Sequence, residues 1–155
     1  MSYDHTQEGM LGTILIAAGL FTIADAIFFC TWLPAKPPSL NWLIFFLVSG
    51  LGVFIMVLGR VFAQLRVHDD GDGLEVRFGP LGNFGTRIPY ADITRVEPAE
   101  SSLIDGWGIH WMPGKGWLYN VSGYHCVRIT MGEKIVRVGT DDLPQLIEFL
   151  NSKIR

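Results

Sequence analysis

The side chains that could carry out catalysis do not combine into a recognisable catalytic set. Ser101, Ser102 and Cys126 are the candidate nucleophiles, and none of them lies in the sharp strand-to-helix turn that exposes such a group beside a base. His110 and His125 could meet across two strands as metal ligands, but two imidazoles without a cysteine or carboxylate complement make an incomplete site. Phosphate-binding and dinucleotide-binding patterns are also missing. We therefore expect a protein that is not an enzyme, without catalytic residues, cofactor or metal.

Three aspartates lie close together in the segment from His68 to Gly73. Closely spaced carboxylates bind calcium in EF-hand loops, but the spacing of that loop and its final glutamate are missing here. Asp-Gly pairs between alternating apolar residues are instead typical of hairpin turns. We interpret the segment as a turn whose negative charge would repel anionic lipid headgroups.

Asp25 is the one charged residue in an apolar run that extends from Met10 to Leu33. A carboxyl group inside a membrane span is costly unless it is protonated or paired, so such residues are functional candidates. Helical spacing places Ala18 and Thr22 on the same face as Asp25, where they form a small, weakly polar stripe suited to close helix contact. Two explanations remain open: Asp25 hydrogen-bonds within the hairpin or reaches the membrane interface, or it contacts a partner subunit.

Residues 107–120 are unusually rich in aromatic side chains. Aromatic residues, methionine and a few glycines are common in surfaces that become desolvated on binding. The rings could equally fill the core of the domain, or insert at the membrane interface. The candidate contact residues of this segment are Trp107, Trp111, Trp117 and Tyr119.

Composition separates the chain into an apolar first third and a charged remainder. The sequence has 155 residues, of which 49% are hydrophobic, and its mean hydropathy is +0.31. The 24-residue run from 10 to 33 would form a helix of about 36 Å, enough to cross a hydrocarbon core of about 30 Å. A second run follows from 42 to 59, after a short proline-rich loop. We predict a transmembrane helical hairpin over 10–63, between an N-terminal tail at 1–9 and a domain at 64–155.

The charged residues beside this hairpin indicate that it is not a signal peptide and predict its orientation. A secretory signal peptide is disfavoured because residues 1–9 contain acids but no Lys or Arg, and because a second span follows at once. Lys36 is the one base in the loop, whereas Arg60 and Arg66 follow the second span, which favours a cytoplasmic C-terminal domain and cytoplasmic termini. The net charge of −3 argues against nucleic acid as a partner.

Beyond the apolar third, hydrophobic residues alternate with period two. Turn residues separate candidate strands near 61–68, 73–79, 84–90, 93–99, 107–112, 116–121, 124–130 and 134–139. The last segment differs, because Leu143, Leu146 and Leu150 share one helical face and Pro144 suits a first turn. We predict an α+β fold in which an antiparallel barrel or sandwich is closed by a C-terminal helix.

Four short motifs in this domain occur in an order that resembles a known family. They are Arg87-Ile-Pro-Tyr-Ala-Asp-Ile-Thr-Arg-Val96, Gly106-Trp-Gly-Ile-His110, Val121-Ser-Gly123 and Val138-Gly-Thr-Asp-Asp142. Residues 60–155 thereby resemble bacterial domains of the pleckstrin-homology superfold, which often follow transmembrane helices. The resemblance implies a PH-like barrel, a bacterial inner-membrane location and a role in interaction, and it brings no catalytic residues.

These observations favour a function through contact. We expect a membrane-anchored interaction protein, an accessory or assembly subunit of a larger membrane complex such as an energy-converting one. Its partners would be the lipid bilayer and another membrane protein. The alternative is a PH-like sensor of a lipid or small ligand, which the acidic segment at 68–73 disfavours.

Overall fold

The computed structural model describes residues 2–33, 36–82, 84–102 and 105–154. Residues 34 and 35 of the predicted loop between the spans lie outside them. The predicted strands and closing helix are confirmed close to their expected positions, and one further strand precedes the first helix. The elements are β1 (Asp4–Glu8), α1 (Met10–Trp32), α2 (Pro38–Val61), β2 (Gln64–Asp69), β3 (Gly73–Phe78), β4 (Phe84–Pro89), β5 (Arg95–Glu100), β6 (Gly108–Met112), β7 (Gly116–Asn120), β8 (His125–Met131), β9 (Lys134–Gly139) and α3 (Leu143–Lys153).

Helices α1 and α2 are long and apolar enough to cross a membrane. They have 23 and 24 residues, and the most apolar stretch of 18 residues in each has a mean hydropathy of 2.1 and 2.5, respectively. Only 11% of each stretch is buried, whereas the core helix of a soluble protein would be mostly buried. The two apolar helices are thus confirmed, and their outward-facing apolar side chains indicate a membrane protein.

The two helices pack antiparallel through small residues. Gly12 and Gly19 of α1 face Gly59 and Gly52 of α2, and a Cβ atom added at Gly19 would lie 2.5 Å from the carbonyl oxygen of Gly52. Glycine lets helix backbones approach closely, which strengthens van der Waals packing where the hydrophobic effect between helices is absent. We call this contact between α1 and α2 the glycine seam. It depends on the four glycines, and the buried Ala26 of α1 extends it.

The segment that the sequence presented as an N-terminal tail contains strand β1. This strand pairs antiparallel with β2, with Glu8 opposite Gln64, so both ends of the helical hairpin enter one sheet. The amide of Gly9 donates a hydrogen bond of 2.6 Å to the carbonyl oxygen of Ala63. The helices and the β-domain are consequently joined without a flexible linker.

The β-domain consists of two open sheets that share one core. The first has the strand order β1-β2-β3-β4 and the second β5-β8-β9-β7-β6. The predicted α+β fold with a C-terminal helix is confirmed, but of the two predicted forms, a barrel or a sandwich, a closed barrel is not formed, because within the described residues no strand joins the two sheets. Apolar side chains of both sheets and of α3 pack in the core, among them Leu74, Ile88, Val127, Val138 and Leu146.

The expectation of wholly antiparallel pairing is also wrong, because β7 and β9 are parallel, with Trp117 opposite Val136. The β8–β9 hairpin folds back so that β9 lies between β8 and β7. The buried side chain of Asn120 stabilises the turn that follows β7: its Nδ2 donates to Gly123 O at 3.1 Å, and its Oδ1 accepts from Ser122 N at 3.2 Å.

Candidate functional site

The aromatic segment at 107–120 forms the β6–β7 hairpin and divides into two parts. Trp111 and Trp117 are directly opposite each other on the two strands, and they are 59% and 46% exposed. Tyr119 is buried, and its ring lies 6.3 Å from that of Phe78. Trp107 is half-buried at the start of the hairpin. Of the four predicted contact residues, the structure therefore presents two at the surface as an adjacent pair.

The position of β6 separates this Trp111–Trp117 pair from the ends of the helices. A Cβ atom at Gly108, the first residue of β6, would lie 3.7 Å from the ring of Phe62, which follows α2. Trp111 lies about 10 Å further along the strand, since each strand residue advances about 3.3 Å. The exposed tryptophans are consequently set apart from the residues beside the helices.

A groove of about 990 Å³ runs beside the Trp111–Trp117 pair, between strand β4 of the first sheet and strands β7 and β9 of the second. Its wall contains bases and acids from both sides, Arg87 and Asp92 on one and Lys134 and Glu133 on the other. The tryptophans form an apolar part of the same wall. A surface of this kind offers two rigid aromatic rings together with mixed charges, which suits contact with another protein.

A buried ion pair holds the β6–β7 hairpin against β9. Arg137 Nη1 of β9 lies 2.8 Å from Asp105 Oδ2, and both side chains are almost wholly buried. The ammonium of Lys115, in the β6–β7 turn, lies 3.3 Å from Asp105 Oδ1. Arg137 also donates to the sulfur of Met112 at 3.6 Å. The cluster thus connects β6 and the β6–β7 turn to β9, the central strand of the sheet.

The charge of Asp105 is stabilised by these contacts. Burial alone would raise its pKa, but hydrogen bonds from Arg137, the Ser102 amide and Lys115 outweigh burial and lower the pKa from 3.8 to about 2. Asp105 is therefore a carboxylate at neutral pH. Sequence analysis missed both Asp105 and Arg137, because a lone acid before a glycine and a base within a strand each look like surface residues.

The predicted stripe on α1 is placed outside the glycine seam. Ala18 is exposed, and Thr22 Oγ1 donates to the backbone oxygen of Ala18 at 2.9 Å. Asp25 is half-buried and has no hydrogen bond or ion pair to any residue that the structure describes. Of the two explanations left open for Asp25, a bond within the hairpin is thus not observed.

The acidic segment at 68–73 is used for internal contacts. Asp69 accepts hydrogen bonds from the Tyr90 hydroxyl at 2.8 Å and the Lys153 ammonium at 2.9 Å. Asp70 lies 2.7 Å from the Arg87 guanidinium. These bonds attach the β2–β3 turn to β4 and α3, and they agree with a structural turn.

The candidate metal ligands do not meet. His110 lies on β6 and His125 on β8, with β7 and β9 between them in the sheet. His110 Nε2 lies 2.8 Å from the backbone oxygen of Trp107. Among the described residues, no group of three or more histidine, cysteine or acidic side chains is arranged to hold a metal ion.

Comparisons of the chain with protein-family models, curated proteins and solved structures find no match. The resemblance to the pleckstrin-homology superfold therefore stays a prediction, beside an observed fold of two open sheets and a C-terminal helix.

Proposed function

We propose that this protein is a membrane-anchored interaction protein without enzymatic activity, an accessory or assembly subunit of a larger membrane complex such as an energy-converting one. The observation that carries the proposal is the exposed Trp111–Trp117 pair beside a groove, on a domain joined rigidly to two apolar helices. Tryptophan is among the residues that most often dominate binding energy in protein interfaces, and about half of each of these two side chains is open to a partner.

The rigid connection to the membrane helices supports the same proposal. A domain that is joined to its helices through β1 and β2, without a linker, holds the Trp111–Trp117 pair close to the bilayer. A partner in the same membrane then meets the pair at a high effective concentration, and modest contacts suffice for stable association.

Asp25, with Ala18 and Thr22, is the second proposed contact surface. A carboxyl group without a hydrogen-bonding partner in an apolar helix is costly, and a polar group of a neighbouring subunit would remove that cost. We therefore propose that a partner helix packs against this face of α1, beside the contact with α2.

Co-purification from native membranes in mild detergent tests the proposed function. The full-length chain is expected to retain a specific membrane protein at constant stoichiometry. The double variant Trp111→Ala/Trp117→Ala and the variant Asp25→Leu are each expected to lose most of that protein. Mass spectrometry and size measurement of the purified complexes report the loss.

Tyr124→Ala is the matched control, because Tyr124 is also 46% exposed but lies outside the groove beside the Trp111–Trp117 pair. This variant is expected to retain the partner. Retention of the partner by all three variants, with each shown to be folded by circular dichroism, would contradict the assigned contact surfaces. Absence of any partner of the unmodified chain would contradict the subunit proposal itself.

The proposal places both termini and the β-domain in the cytoplasm of a bacterium, with the chain in the inner membrane. The support for this orientation is that two bases, Arg60 and Arg66, lie on the side of the β-domain, whereas the loop between the helices contains one base, Lys36. A membrane-impermeant thiol reagent is expected to label Lys36→Cys in intact cells and to label Glu133→Cys only after lysis. The reverse pattern would invert the orientation; the unmodified chain gives the background from Cys30 and Cys126.

A sensor of a lipid or small ligand is the second candidate function. The size of the groove favours this function. Its volume of about 990 Å³ is at the upper end of the range for small-molecule sites. Against a phosphoinositide headgroup stands the β2–β3 turn, where the acids Asp69 and Asp70 already occupy the nearby bases. Tight, salt-sensitive binding of a water-soluble phosphoinositide headgroup to the detergent-solubilised chain would favour the sensor over the subunit.

A further inference from the structure

We propose that Leu81, in the β3–β4 turn, and Phe84, the first residue of β4, insert into the headgroup region of the same bilayer that α1 and α2 cross. This contact would hold the β-domain against the membrane in one orientation. The inference rests on the membrane-spanning part of the proposed function and adds a lipid-contacting surface on the β-domain itself.

The β3–β4 turn lies directly beside the end of α2. Gly79, the first residue after β3, donates its amide hydrogen to the carbonyl oxygen of Gln64 at 2.9 Å. A Cβ atom on Gly79 would lie 2.8 Å from the carbonyl oxygen of Val61, the last residue of α2. The ring of Phe62 packs edge-on against Phe78 at 5.6 Å. The turn therefore begins at the level where the apolar helix ends.

The side chains that this turn exposes are apolar. Leu81 is 82% exposed and Phe84 is 53% exposed. Scattered exposed apolar residues are ordinary on soluble proteins. These two, however, follow a turn residue, Gly79, that lies beside the last residue of α2, and the apolar side chains of α2 themselves face outward.

The charges around the turn suit the headgroup region. Arg60 in the last turn of α2 is exposed, and a base at the end of a span can extend to lipid phosphates while its stem stays in the apolar layer. Arg77 donates to the backbone oxygen of Gly82 at 3.4 Å and is paired with Glu75 at 2.8 Å, so the underside of the turn is braced and its charges are balanced. A lipid surface fits this combination of apolar tip and basic flank.

The experiment uses the full-length chain in liposomes, with an environment-sensitive fluorophore on a single added cysteine. Leu81→Cys and Phe84→Cys are expected to give blue-shifted emission and to lose most of their fluorescence to lipids carrying a shallow nitroxide quencher. Asp72→Cys, in the β2–β3 turn at the opposite end of the same sheet, is expected to show neither effect. The unmodified chain gives the background from Cys30 and Cys126.

Val53→Cys, at an exposed position within α2 and measured with lipids that carry a nitroxide deep in the acyl chain, separates failure of this inference from failure of its premise. Quenching at Val53→Cys without quenching at Leu81→Cys or Phe84→Cys would overturn the inference and leave the membrane hairpin intact. Absence of quenching at Val53→Cys would overturn the premise as well. Blue-shifted emission at Leu81→Cys that lipid quenchers do not reduce would assign the turn to a protein partner and would also overturn the inference.

Discussion

Replacing Asp105 by Ala is expected to lower the free energy of unfolding of the β-domain by about 3–5 kcal/mol. In the unmodified chain the guanidinium of Arg137 lies 2.8 Å from the carboxylate of Asp105. The substitution removes that carboxylate and leaves the buried guanidinium without an acidic partner. An uncompensated buried charge costs far more than the pair itself contributes. Denaturant unfolding of the full-length chain in mild detergent, followed by tryptophan emission, measures the change.

Glu97→Ala is the matched control for Asp105→Ala. Glu97 lies 2.6 Å from Arg95, but that arginine is 70% exposed, so water replaces the lost partner. The control is expected to change the free energy of unfolding by about 0–1 kcal/mol. An effect of Asp105→Ala no greater than that of Glu97→Ala would contradict the structural role assigned to the buried pair.

The pH dependence gives a second measurement of the same pair. The pKa of Asp105 is about 2 in the folded chain, below the ordinary value of 3.8. A lowered folded pKa means that the stabilising contribution is complete above 3.8 and is lost as the pH falls toward 2. Asp105→Asn is expected to unfold at neutral pH more readily than the unmodified chain, and to lose less stability between these two pH values.

Replacing Gly116 by Ala is expected to destabilise the domain by about 2–5 kcal/mol, the sum of a backbone term and a steric term. Gly116 begins β7 with a φ of +75°, a conformation that costs a non-glycine residue about 1–2 kcal/mol. A Cβ atom there would also overlap the backbone oxygen of Ile135 in β9. The parallel approach of β7 to β9, which forms one wall of the groove, therefore requires a residue without a side chain.

Gly114→Ala separates the two terms, because Gly114 lies in the same turn with a φ of +74° but has open space where a Cβ atom would lie. This control is expected to cost only the backbone term. Thermal unfolding in mild detergent compares the two variants. Equal losses at Gly114 and Gly116 would show that the contact with Ile135 is not the reason for the glycine.

The sequence by itself determined the elements of the fold other than β1, since each of these is set by local hydrophobic periodicity. The two apolar runs are long enough for membrane-spanning helices, and they correspond to α1 and α2 however these helices pack against each other. Alternation in the later residues located strands such as β3 and β8, and the single apolar face of residues 143–154 located α3. Asp25 was also identified from sequence alone, because a charge within an apolar run is conspicuous without any structure.

Strand β1 could not be predicted, since its residues from Asp4 to Glu8 show no apolar alternation. Its position depends on backbone bonds to β2, and only Gln7 of its side chains is buried. Such a strand exists because the helical hairpin returns the chain beside it. Pairing between residues about sixty positions apart leaves no local pattern in the sequence.

The tertiary structure alone decided which side chains of the aromatic segment are available for contact. In the sequence, Trp111, Trp117 and Tyr119 are equivalent aromatic residues of two strands. Trp117 and Tyr119 are two residues apart on β7 and point to the same face of the sheet, but Phe78 of the first sheet covers Tyr119, whereas Trp111 and Trp117 lie at the open groove. The position of β9 in the second sheet likewise brings Arg137 to Asp105. Whether a side chain is buried depends on what packs against its strand, and that is decided by how the two sheets meet rather than by residues nearby in the chain.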